Sequence, residues 1–487
     1  MASDKFRHQL RHEAKLWKAE GVIDEDLFRQ LSQRYQFDAL ETSAQNRFIA
    51  IFIGLGGVLV GLAVITFVAA NWQAWSREFR VVLLLSLFIG VNAAGFYLWR
   101  TPAKSSEFLG GKDGVKNGKI YPTRSGWKQR LGHGLLLLGA IILGANMGLM
   151  AQMFHITGSP YGLYLVWGLG VLAMAYSLRL TSLGVLSILL IGFGYLLGVG
   201  DWSSKEEFSY LKLLLDYMPI FAGLAFVPLA YWCRSRAIFF LAAIGVVNSL
   251  IITILASASI NIPEWIFIVS VCALPPALLW GYDDVMWPNI HSRLFQPLAR
   301  NLALFFLAVL FYFGSFKWWN YTTDGINNSA ESVLGWTPFV SVVLLAGLTI
   351  YEWLHLSRRQ RKSPKRQVVD LTTNVVACLI AIATLVPVWH FNVFPIGILA
   401  IFLYNVLLFL LGTGLIREGL AIGNRRSFWG GLGVLSLQIL SRMLEYDTGL
   451  LFKAFVFFLC GVGVIVAGLW FERYSHHLMP SEQKGKV

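Results

Sequence analysis

Long apolar runs alternate with short polar breaks along nearly the whole chain. The runs fall at residues 48–70, 80–99, 131–153, 160–178, 180–199, 213–232, 237–258, 262–280, 298–316, 335–355, 371–390, 394–414, 427–444 and 450–471. A helix needs about 20 mostly apolar residues to cross the hydrocarbon core of a bilayer. The pattern therefore predicts an all-α polytopic membrane protein with about 14 transmembrane helices. Two places are less regular: Arg179 divides two short runs, and the run at 427–444 ends in polar residues.

The first 47 residues have a different pattern. Phe6, Leu10, Ala14 and Trp17 recur at helical spacing, Gly21 stops that helix, and Asp24 stands as N-cap of a second one. Leu27, Phe28, Leu31 and Tyr35 then share a face, which predicts a short helical hairpin, too small to be an independent enzyme domain. The expected organisation is a hairpin at 1–47, a transmembrane bundle at 48–473 and a tail at 474–487.

Composition sharpens the class. Of 487 residues, 56% are hydrophobic and 14% charged, against about 45–50% and about 25% in soluble domains. A soluble enzyme with one anchor, a secreted domain and a disordered regulator are all excluded. The net charge of +13 reads as topology rather than nucleic-acid binding, because Lys and Arg collect in cytoplasmic loops. With fourteen spans and a cytoplasmic N-terminus, all of the 40 Lys and Arg fall inside except Arg77, Arg80, Lys205, Lys212, Lys317, Arg442 and Lys453. The expectation is a multi-pass protein of a bacterial plasma (inner) membrane with both termini cytoplasmic and no cleavable signal peptide. The basic loops at 100–130 and 356–370 fix orientation and could hold anionic lipid headgroups. Trp318, Trp319, Tyr321 and Trp336 suit an aromatic belt on the outer side. Cys233, Cys272, Cys378 and Cys460 lack metal or redox spacing and read as small buried hydrophobes.

Candidate chemistry is sparse. There is no Walker A sequence, HExxH, GxSxG or EF-hand loop, so no cofactor, metal or catalytic set is expected. The middles of the spans carry almost no ionisable residues. Asp216, Glu264, Glu352 and Asp370 sit near span ends, where water is expected to reach them. Glycine pairs such as Gly57…Gly61, Gly144…Gly148, Gly194…Gly198 and Gly419…Gly423 have the spacing of close helix packing. The polar positions left over are the candidate sites. Asn71 and Trp72 end the first span. Asn146, Gln152 and His155 run along the third, the last two on one face if the helix continues. Gln438, Arg442 and Glu445 share a face near the outer end of another span, as a surface ion pair or a cavity lining.

Three stretches carry a family resemblance: Leu16-Trp17-Lys18-Ala19-Glu20-Gly21-Val22-Ile23-Asp24; Phe67-Val68-Ala69-Ala70-Asn71-Trp72 with Arg77 and Arg80; and Ala151-Gln152-Met153-Phe154-His155-Ile156-Thr157-Gly158 followed by Leu165-Val166-Trp167. On these the chain resembles the bacterial predicted membrane proteins catalogued as domain of unknown function 2157. The resemblance implies an integral membrane protein and carries over no functional residues. Many spans and abundant glycine fit a transporter- or channel-like protein for a neutral, amphipathic or lipidic solute. Two other readings stand beside it. One is a non-catalytic scaffold or sensor whose residues 1–47 dock a cytoplasmic partner. The other is an intramembrane lipid- or glycan-modifying enzyme.

Overall fold

A computed structural model describes residues 10, 13–14, 16–18, 20–35, 70, 74–100, 127–155, 158–200, 210–256, 264–284, 294–320, 337–360 and 367–478. Among these residues the regular structure is helical throughout, with no strand. The first apolar run up to residue 69, the basic stretches 101–126 and 361–366, and the tail beyond 478 lie outside the described residues.

Residues 1–90 form one compact unit. The predicted hairpin is there. Residues 13, 14 and 16–18 are helical, Gly21 takes φ +72°, and helix α1 (Glu25–Tyr35) returns. The amide of Val22 donates to the Trp17 carbonyl at 2.9 Å, which ties off the first helix at its glycine. Asp24 caps the second, its Oδ1 accepting from the Leu27 amide at 2.9 Å. Ala14 is fully buried under Leu10, Trp17, Ile23, Phe28 and Leu31. Leu27 is exposed rather than on the inner face.

Residues 91–487 form the second unit. The helices from residue 77 onward are α2 (Arg77–Arg100), α3 (Trp127–Met153), α4 (Pro160–Leu178), α5 (Thr181–Gly200), α6 (Tyr210–Asp216), α7 (Met218–Trp232), α8 (Arg236–Ala256), α9 (Glu264–Cys272), α10 (Leu274–Gly281), α11 (Gln296–Gly314), α12 (Thr337–Gln360), α13 (Gln367–Asn392), α14 (Gly397–Ile422), α15 (Arg425–Glu445) and α16 (Leu450–Leu478). Every predicted run within the described residues is helical. Among the described residues ten helices are long and apolar enough to cross a membrane, or eleven if α6 and α7, bent by 85°, count as one span. The other expected spans differ for stated reasons. Run 262–280 is two short helices, α9 and α10, meeting at Leu274-Pro275-Pro276, where two missing amide hydrogens interrupt the helical ladder. Helix α15 forms but is less apolar than the ten.

Small residues set the closest approaches. Gly419 of α14 lies against the backbone of Phe428, and Gly431 of α15 against the Gly412 carbonyl, so a side chain larger than hydrogen would collide. The α14–α15 hairpin is thus close-packed along its length. Its turn uses Gly423 at φ +68° and Asn424, whose side chain accepts from the Arg426 amide at 3.1 Å. Of the other predicted glycine pairs, Gly194 and Gly198 both pack against leucines. Gly144 receives the Trp167 indole, and nothing approaches Gly148.

Pro387 lies inside α13 and leaves the Ala383 carbonyl without its helical donor. The hydroxyl of Tyr404, a fully buried residue of α14, donates to that carbonyl at 2.7 Å. The tyrosine therefore repairs the backbone defect and fixes α13 to α14.

Candidate functional site

The two most elaborate polar clusters among the described residues cap opposite ends of α11. Its N-terminus begins at Phe295-Gln296-Pro297. Here Asp284, 0% exposed, accepts from the Phe295 amide at 2.9 Å and the Gln296 amide at 3.0 Å through Oδ2. Its Oδ1 accepts from the Tyr231 hydroxyl, which also lies 2.6 Å from the Tyr282 hydroxyl. A carboxylate at a helix N-terminus satisfies orphan amides and meets the positive end of the helix dipole.

At the other end, Gly314 and Ser315 close the helix and a 3₁₀ turn (Lys317–Asn320) follows. The Ser315 carbonyl accepts from Arg442 Nη1 at 2.5 Å and from Asn405 Nδ2 at 3.3 Å. Arg442 also pairs with Glu445 through Nη1, and its guanidinium carbon lies 4.1 Å from the centre of the Phe316 ring. Glu445 Oε1 accepts from the Lys317 amide at 2.8 Å. Gln438 donates to Asn405 at both the carbonyl, 2.9 Å, and Oδ1, 3.1 Å. Trp319 donates to the Gly314 carbonyl at 2.7 Å and stacks between Phe391 and Tyr404. The cation sits where the dipole is negative. Helix α11 is thus bracketed by a buried carboxyl from the segment just before it and a buried guanidinium from 127 positions further on.

This arrangement revises several expectations. Gln438, Arg442 and Glu445 do share a face, but the pair is no surface pair: Arg442 is 9% exposed and ties α15 to the end of α11, while Gln438 ties α15 to α14. Trp319 is core, not interfacial belt. Glu352, placed near water by its position in the sequence, is 4% exposed, and Asp283 is 3% exposed. Of the cysteines only Cys272 is buried, and Cys378 faces outward. Helix α3 does not continue to His155. It ends at Met153, His155 takes φ +50°, and its amide donates to the Gln152 carbonyl at 3.4 Å. Gln152 and His155 are both exposed, while Asn146 is buried within α3. Asn71 and Trp72 lie outside the described residues. No cluster of three or more His, Cys, Asp or Glu with metal-binding geometry occurs among the described residues.

Sequence reasoning missed Asp284 and took Glu352 as water-reachable. Tyr282-Asp283-Asp284 directly after a proline-broken apolar run was the available signal.

A third feature is a groove of about 780 Å³ between α9–α10, α12 and α13. Val269, Ala273, Ala277, Trp353, Ala381 and Leu385 are among its walls. Three hydroxyls reach it, and all are turned back to their own helices: Thr349 bonds the Leu345 carbonyl, Ser357 the Leu354 carbonyl and Thr384 the Ile380 carbonyl. The Trp353 indole N–H donates to the Ala277 carbonyl at 2.9 Å. The groove therefore presents hydrocarbon almost throughout.

Long apolar helices, broken spans and buried charges at helix ends define a multi-spanning α-helical membrane protein. Residues 15–184 match the family model described as "Predicted membrane protein (DUF2157)". The match ends within α5, so both clusters and the groove lie beyond it. No curated protein and no solved structure matches the chain.

Proposed function

We propose that the protein is a transporter-like membrane protein that moves a lipidic or amphipathic solute along the groove between α9–α10, α12 and α13. The observation that carries this reading is the groove itself, about 780 Å³ and lined by hydrocarbon, beside a span broken by Pro275 and Pro276. Discontinuous helices border the binding sites of many transporters. From Thr349 to Ser357 the α12 wall runs about 12 Å at 1.5 Å per residue, room for part of an acyl chain. Back-bonded Thr349, Ser357 and Thr384 leave no side-chain hydroxyl aimed at a polar solute.

The test is reconstitution of the full chain into liposomes with fluorescent phospholipids and a panel of amphipaths. Wild-type protein should give flux above empty vesicles. Ala381→Phe, on an exposed groove wall, should reduce flux several-fold without loss of protein. Flux equal to empty vesicles over the whole panel refutes the reading, and so does flux that groove filling leaves unchanged.

For placement, we infer a bacterial plasma membrane with both termini cytoplasmic, from the skew of Lys and Arg toward one set of loops. The basic stretches near 101–126 and 361–366 would then face anionic lipid headgroups. A docking role for the hairpin is favoured by one observation. It has its own small core around Ala14, yet leaves Leu16, Val22 and Leu27 exposed. Deleting residues 1–40 should then remove a cytoplasmic partner from pull-downs, and unchanged partners would dismiss this role.

A further inference from the structure

Glu352 is the one carboxylate in the middle part of α12, and its surroundings are unusual. It is 4% exposed, and its Oε2 is buried with no hydrogen-bond partner. It faces the glycine that ends α10. A Cβ built on Gly281 would lie 3.1 Å from Glu352 Oε2, 3.1 Å from Glu352 Cβ and 3.1 Å from Trp353 Cδ1. The glycine lets α12 approach until the carboxyl touches backbone.

An isolated carboxylate taken out of water is strongly disfavoured unless a partner compensates it. A metal ion needs several oxygen ligands at about 2.0–2.6 Å, and the described residues offer no such set. The ligand that fits is the smallest one. Hydronium gives up a proton, one of its O–H bonds breaking to leave water, as an O–H bond forms on an Oε2 lone pair and the group passes from charge −1 to neutral.

The ionisable groups on the elements around this contact are few. After α10 come Tyr282, Asp283 and Asp284; α7 carries Tyr231, α8 begins at Arg236, and His355 follows on α12 itself. Arg300 of α11 lies over the Trp280 ring at 5.3 Å. Asp284 is committed to the α11 N-terminus and Tyr231.

The adjoining face of the same stretch of α12 is groove wall. Thr349, Ile350 and Trp353 line the groove. Ionising Glu352 against Gly281 would favour any movement of α12 that admits water to Oε2, and that movement displaces Trp353.

We infer that Glu352 is a proton-binding site, and that its protonation sets the seating of α12 against α10 and thereby the width of the groove. This rests on the groove being the solute path.

Full-length protein in lipid nanodiscs, titrated with pH and followed by infrared difference spectroscopy, tests the proton site. A protonated-carboxyl band should titrate, shift on carbon-13 labelling of glutamate, and vanish in Glu352→Gln. Amide exchange across residues 345–357 should quicken on ionisation in wild type and lose its pH dependence in the variant. In liposomes Glu352→Gln should keep solute equilibration but lose its response to a pH gradient. If no label-sensitive band titrates, or if the band survives in Glu352→Gln, the proposal is overturned. If that variant fails to fold, Glu352→Asp decides the matter: its band should titrate but lose sensitivity to glutamate labelling, and a band still sensitive to that label would overturn the assignment. A titrating, Glu352-dependent band without any flux would uphold the proton site and remove the transport reading. Flux whose pH response is identical in Glu352→Gln would keep the transport reading and overturn the link between this proton and the groove.

Discussion

The Arg442–Glu445 pair offers a decisive energetic test, because its sequence neighbourhood and its structure imply different magnitudes. As an exposed i,i+3 pair it would contribute about 0.2–1 kcal/mol. In the structure the side chains are 11% and 15% exposed, and each member has a second task. Arg442 bonds the Ser315 carbonyl at 2.5 Å and covers Phe316. Glu445 holds the Lys317 amide at 2.8 Å. Arg442→Met removes a charge-assisted bond worth about 1.5–3 kcal/mol and leaves a buried carboxylate without its cation. Breaking a buried pair this way typically costs about 3–5 kcal/mol. Relief of Nε and Nη2, buried without partners, offsets part of it, so the expectation is about 3 kcal/mol. Glu445→Gln keeps an acceptor for Lys317 and leaves Arg442 bonded to Ser315, at about 1–2 kcal/mol. The double variant orphans neither charge, so it should be no less stable than Arg442→Met alone. Reversible unfolding in mixed micelles, followed by helical circular dichroism, measures all four corners of this cycle. A double variant whose loss equals the sum of the singles, or an Arg442→Met loss below about 1 kcal/mol, would refute the buried-latch account.

Other expectations follow from the same contacts. Asp284→Ala frees two buried amides at the start of α11 and the Tyr231 hydroxyl, and should lower stability by about 3–5 kcal/mol in the same unfolding assay. Gly144→Ala should cost about 1–3 kcal/mol through collision with the Trp167 indole. Gly148→Ala, one turn away in open space, should be neutral or slightly stabilising; equal effects at both glycines would contradict the packing described. His155→Gly should leave thermal stability unchanged or higher, since φ +50° suits glycine better. A loss of flux in that variant with unchanged stability would show that the imidazole itself is used.

Much of the fold is legible in the sequence because membrane helices advertise themselves by length. The runs 160–178 and 450–471 coincide closely with α4 and with most of α16. The breaks are harder to place. Averaging over a span hides Pro275-Pro276, which divide one apolar run into α9 and α10. Similarly, Tyr217-Met218-Pro219 hides the 85° bend between α6 and α7. The clusters are harder still, because burial of a charge depends on partners far away in sequence. Arg442 reads as a surface residue until the Ser315 carbonyl, 127 positions earlier, is found beneath it. Glu352 reads as water-reachable by its distance from the span end, and only the missing side chain of Gly281 reveals how closely α10 covers it. His155 shows the converse: a residue that looks placed for chemistry ends a helix, as Arg179 and Arg234 do at their own left-handed positions.

The Asp284 contacts also constrain the order of assembly. They join Tyr231, at the end of α7, to Phe295 and Gln296, at the start of α11. A ribosome delivers these groups one after another, and the last of them appears only after α8, α9 and α10 have been made. Those three helices therefore enter the bilayer before the knot that will hold their two ends can be tied. Until then they rely on packing among themselves.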